Sequence, residues 1–140
     1  LYLSDYFERN KTAYVDHMMA VRQGNHLRDW LIFFLHGVEE TARASAGVFR
    51  AILALKERIE REVLPRFSHR RQENAQQLMR NLYARPVVDV KAVTVMLSTT
   101  TNTAASLIGD MVEHGVLLEV TGQRRNRLFL FHDYLELFRK

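Results

Sequence analysis

The stretch Gly115-Val116-Leu117-Leu118-Glu119-Val120-Thr121-Gly122-Gln123-Arg124-Arg125-Asn126-Arg127-Leu128-Phe129-Leu130-Phe131 decides how this sequence folds. Residues 116–121 alternate as a strand, Gly122 to Asn126 makes a turn, and residues 127–131 return as a second strand. Upstream, residues 100–114 read as a helix with Ala104, Leu107, Ile108 and Met111 facing inward. Gly115 stands where a left-handed helix cap is required, so the helix stops and the hairpin begins.

Working outward, Ser68 can cap a helix to about residue 84, with Ala75, Leu78, Met79, Leu82 and Tyr83 on one face. Pro86 ends it, Val87-Val88 is short and extended, and Asp89 can cap a further helix through about Leu97. Ser98 opens a turn into the helix at 100–114, and Asp133 can cap a last helical turn over 134–138. Three helices followed by a basic β-hairpin is the order of a winged helix-turn-helix.

The first half reads as helix throughout. Ser4 or Asp5 can cap a short helix, and Phe7, Tyr14, Val15, Met18 and Val21 follow at helical spacing. Gly24-Asn25 stops that pattern, and Asn25 can cap the next helix. No proline occurs between His26 and Leu64, a run that would be about 58 Å long as one helix. A break or bend at Gly47 is therefore expected, with packing against further sequence or a second subunit. The expected fold is mainly α with a small β-hairpin: a helical segment over 1–64, then a winged helix-turn-helix over 65–140, divided at Pro65.

The 140 residues are 47% apolar and 26% charged, which is the composition of a folded domain. The absence of cysteine excludes disulfides, thiolate zinc sites and cysteine nucleophiles, and suits a reducing cytosol. No apolar run is long enough to span a bilayer, so no membrane role and a cytoplasmic location are expected. The net charge of +4 is uneven: residues 1–64 hold nine basic and nine acidic side chains, and residues 65–140 hold eleven against seven. Leu1 is not Met and no signal-peptide pattern follows it, so the sequence is expected to be part of something longer.

In a winged helix that binds DNA, the third helix enters the major groove and the hairpin tip lies along the backbone or minor groove. The candidate contacts are Thr100, Thr101, Asn102, Thr103 and Ser106 on the helix, with Arg124, Arg125 and Arg127 on the wing. Residues 99–114 contain no Lys or Arg but do carry Asp110 and Glu113, a poor balance for a helix that meets phosphates. Cap and turn roles for the Thr and Asn side chains compete with DNA contact, and a protein partner or homodimer competes with duplex DNA. The six histidines lack the helical spacing of a metal site; His36 and Glu39 share one turn, which is not enough. No catalytic or metal residue is assigned.

Two runs resemble a known family. Leu1-Tyr2-Leu3-Ser4-Asp5-Tyr6-Phe7-Glu8-Arg9-Asn10, followed by Tyr14, Ala20-Val21-Arg22 and Trp30-Leu31-Ile32-Phe33-Phe34-Leu35, resembles the C-terminal part of Fic (filamentation induced by cyclic AMP) proteins. The stretch from Leu118 to Phe129 resembles the winged helix appended to many bacterial members. The resemblance implies a parent protein adenylyltransferase that uses ATP and Mg2+ to transfer AMP to a hydroxyl of a target protein. It also implies a catalytic His-Pro-Phe-x-Asp/Glu-Gly-Asn-Gly-Arg loop upstream of Leu1, since Gly24-Asn25 is preceded by Arg22-Gln23 and cannot be that loop. Tyr14 matches the first member of the family's adenine-side Tyr-Tyr pair, whereas Val15 departs from the second. The family's inhibitory Ser/Thr-x-x-x-Glu helix is absent, because His69 stands where Ser or Thr would precede Glu73-Asn74. The alternative is a winged-helix transcription regulator whose helical arm dimerises.

Overall fold

A computed structural model describes residues 3–139. The residues at 1, 2 and 140, two of which open the first family-like run, lie outside the described residues. Helices α1 (Leu3–Arg9), α2 (Lys11–Gly24) and α3 (Leu27–Arg58) come first. A π turn (Ile59–Val63) and a 3-10 turn (Leu64–Arg66) lead to α4 (His69–Leu82) and strand β1 (Val87–Val88). Helices α5 (Val90–Met96) and α6 (Thr101–Glu113), strands β2 (Leu118–Glu119) and β3 (Phe129–Leu130), and α7 (His132–Glu136) complete the order. The fold is mainly α with a small sheet, as the residue patterns imply.

The chain forms two compact units, one up to Arg50 and one from Ala51 onward. In the first, Tyr6 is buried against Gly37, where an added Cβ would sit 2.5 Å from the tyrosine ring. The ring therefore requires glycine opposite it. Phe7 gathers Tyr14, Trp30, Phe33 and Phe34 at ring distances of 5.1 to 6.2 Å. Ser4 and Asp5 lie within the first turn of α1. Asn25 is the left-handed C-cap of α2 (φ 56°), and its side chain makes no cap bond onto α3. The expected break at Gly47 is absent, for α3 runs through it. One glycine costs a helix only about 1 kcal/mol, and the Ala-rich surroundings sustain it.

The second unit carries the larger core. Leu55, Ile59 and Leu64 are buried with Leu78, Leu82, Val93, Ile108, Met111, Phe129 and Phe131. Leu55, Ile59 and Leu64 thus pack in the core of the second unit, although the division expected at Pro65 assigned them to the preceding segment. Periodicity shows that one face is apolar; it does not show which body that face meets. In the π turn the Leu64 N–H bonds the Ile59 carbonyl, and Pro65, which has no N–H, cannot return a bond to Arg61.

Local chemistry sets most element ends. Asp89 accepts a bond from the Ala92 N–H at 2.6 Å, Thr100 accepts one from the Thr103 N–H at 3.3 Å, and Gly115 takes φ +70°. Ser68 holds the N-cap position of α4 without a side-chain bond. Asp133 does not cap the last helix, which starts at His132; its carboxylate meets Arg58 at 2.5 Å. The sheet is antiparallel with order β1-β3-β2, pairing Val87 with Leu130 and Leu118 with Leu130. Val87-Val88 therefore forms a third strand beside the hairpin. The hairpin strands are shorter than their alternation suggests, because Val116 and Leu117 are both buried directly after α6.

Burial, then the nearby Glu60 and Tyr134, push the Tyr83 phenol from 10.0 up to about 12. The folded chain keeps this proton between about pH 10 and 12 while the unfolded chain loses it, so stability falls as pH rises through that window. Tyr83→Phe is expected to remove this part of the alkaline loss. Urea midpoints of the two proteins between pH 9 and 11.5 should converge or cross; a constant offset counts against the assignment.

No helix among the described residues is long and apolar enough to cross a membrane.

Candidate functional site

The candidate contacts on α6 separate into two groups. Thr100 and Thr103 serve the cap, with their hydroxyls 2.9 Å apart. Ser106 accepts a bond from Arg71 at 2.9 Å, and the same guanidinium bonds Asp110. Arg71 on α4 therefore neutralises one of the two acids that made α6 a poor surface for phosphates. Thr101 and Asn102 remain exposed and make no side-chain hydrogen bond among the described residues.

Arg124, Arg125 and Arg127 are exposed in the wing. The Arg127 guanidinium lies 5.4 Å from the centre of the Phe129 ring, a cation–π contact that steadies its direction. Left-handed Gly122 (φ 60°) and Asn126 (φ 53°) turn the tip, and Glu119 accepts bonds from the Thr121 hydroxyl and the Gly122 N–H. The wing base is thus tied by an acid that faces the loop backbone.

A groove of about 430 Å³ joins these parts, lined by Lys91 and Thr94 of α5, Thr101 of α6, and Arg124, Asn126 and Arg127 of the wing. Asp89 also borders it, with its carboxylate engaged in the α5 cap. Lys91, Arg124 and Arg125 make no ion pair among the described residues. An extended anion is the ligand such a groove can hold: unpaired cations meet its charges while Thr and Asn supply neutral donors.

Lys91 was missed in the sequence. Its only local signal is its place in the first turn after the Asp89 cap, and its distance to the wing is a tertiary fact. Of the residues singled out, Thr101, Arg124 and Arg127 line the groove; Asn102 and Arg125 are exposed but do not line it; Thr100, Thr103 and Ser106 are held in internal bonds.

Tyr14 lies in the first unit, with its ring 5.1 Å from Phe7 and 5.5 Å from Trp30. The residue packs against both rings while staying partly exposed. Among the described residues no group of three His, Asp or Glu could hold a metal ion; His36 and Glu39 stand 3.9 Å apart on an exposed helix face. Compared with known proteins, the chain matches no family model and no curated protein.

Proposed function

We propose that the chain is the C-terminal part of a Fic-type protein adenylyltransferase, comprising closing helices of the catalytic domain and a winged helix that positions the enzyme on a partner. The parent would transfer AMP from ATP, with Mg2+, to a hydroxyl of a target protein in the cytoplasm. This chain would supply no catalytic residue, and Tyr14 would stand near the adenine side. Beyond the resemblance, one observation carries the reading. In the first unit Val15, Met18, Met19, Leu31, Leu35 and Phe49 are exposed, Leu35 to 61% and Phe49 to 66%. Exposed apolar side chains in this number suit surfaces that another body covers, as expected of helices that close a larger domain. The reading frame upstream of Leu1 tests it: a His-Pro-Phe-x-Asp/Glu-Gly-Asn-Gly-Arg loop there supports the proposal, and a frame without one sinks it.

A second reading has its own support. The groove with unpaired Lys91 and Arg124 favours a winged-helix regulator that contacts duplex DNA through its phosphates, with the helical arm as a dimerisation element. Fluorescence anisotropy with a random duplex discriminates the two. DNA contact requires low-micromolar binding that falls steeply with salt. Replacing Arg124, Arg125 and Arg127 together with Ala should then reduce the log–log salt slope by about 3, at about 0.9 per phosphate contact. A chain that ignores duplex DNA at low salt leaves the wing to a protein partner.

A further inference from the structure

We propose that the cleft between the end of α3 and α4 binds a small amphiphilic organic anion, of which an aromatic carboxylate is the simplest example. Its volume of about 460 Å³ is within the range of small-molecule sites. The apolar floor consists of Ile59, Leu64 and Met79, each buried in the core of the second unit. The polar rim is one face of α4: Gln76, Arg80 and Tyr83 stand four and three residues apart, with Gln72 one turn earlier. Lys56 and Glu60 face them from the other wall.

The charge balance selects the ligand. Lys56 and Glu60 are paired at 3.8 Å and largely offset each other, while exposed Arg80 makes no ion pair or hydrogen bond among the described residues. One uncommitted guanidinium suits one carboxylate, which it can grip with two parallel bonds. A polyphosphate would need more cations, and an inorganic ion would gain nothing from the apolar floor. The Tyr83 hydroxyl has no hydrogen-bond partner among the described residues, and its phenol, raised to about 12 by burial, remains a donor throughout the physiological range. The π turn beside the cleft places Ile59 on the floor and Glu60 on the wall through one widened turn, a feature frequent at functional sites.

The test is a titration of the full chain with 2-naphthoate, followed by amide chemical shifts. Saturable shifts confined to residues around 56–64 and 72–83 are expected, with a dissociation constant of roughly 1 mM for a ligand of this size. Arg80→Gln, at an exposed position, leaves the fold intact and should weaken 2-naphthoate about tenfold through loss of a charge-assisted bond. The neutral 2-naphthamide should bind the native chain about tenfold more weakly and be insensitive to Arg80→Gln. Gln76→Trp, which fills the cleft mouth, should abolish the shifts while the amide spectrum stays folded. Shifts elsewhere, no saturation, or equal binding of acid and amide overturns the proposal.

Discussion

Replacing Ile59 with Ala is expected to destabilise the second unit by about 2–5 kcal/mol. Ile59 is 2% exposed, lies in the π turn before Pro65, and packs in the same core as Leu78, Ile108 and Phe131. Truncation there removes buried apolar area and leaves a cavity, and the two penalties add. Urea unfolding followed at the α6 amides measures it, because that reporter lies in the unit concerned. Leu31→Ala, at a position 46% exposed in the first unit, should change the same transition by less than about 0.5 kcal/mol. The consequence for domain boundaries is direct. A chain starting at Ala51 retains Leu55, Ile59 and Leu64 and should give a dispersed spectrum, whereas one starting at Pro65 lacks all three and should not. Equal spectra from both would return residues 51–64 to the preceding segment.

Phe131→Ala carries a comparable penalty, about 3–5 kcal/mol. The ring is fully buried, stacks on Tyr134 at 5.4 Å and meets the Tyr83 ring edge-on at 5.6 Å. Its N–H also donates to the Pro86 carbonyl at 2.7 Å, joining the end of β3 to the start of β1. That bond belongs to the backbone and survives the substitution, so the loss measures the side chain. Chemical denaturation should show a lower midpoint with an unchanged slope. Phe131→Leu, which refills much of the volume, should recover more than half of the loss. A loss below about 1 kcal/mol for the alanine variant would mean that Phe131 does not anchor the sheet to α4 and α7.

These two positions also show what the sequence could reveal. Where structure follows from chemistry within a few residues, it was legible: Asp89 and Thr100 as caps, Gly115 as a left-handed stop, and the inward row Ala104, Leu107, Ile108 and Met111. Features that join distant parts of the chain were not legible. The β1–β3 pairing, the Arg58–Asp133 pair that takes Asp133 away from its expected cap, and the Arg71 clamp on Ser106 and Asp110 each depend on how helices pack. At the candidate groove, type and position single out Thr101, Arg124 and Arg127, but they do not separate these from Asn102 and Arg125, which lie outside it, or from Thr100, Thr103 and Ser106, which are bonded internally. Lys91 was missed because only the packing of α5 beside the wing brings it to the same groove. Gly47 was overread, since a glycine weakens a helix without being sufficient to end one.

The central claim concerns AMP transfer, and labelled ATP tests it most directly. If the whole reading frame that contains this chain carries the proposed loop, its product, incubated with Mg2+ and α-phosphate-labelled ATP, should transfer label to a protein hydroxyl, and replacing that loop's histidine with alanine should abolish transfer. The 140-residue chain alone should transfer none. Transfer by this chain alone, or no transfer by a whole product that carries an intact loop, would contradict the account.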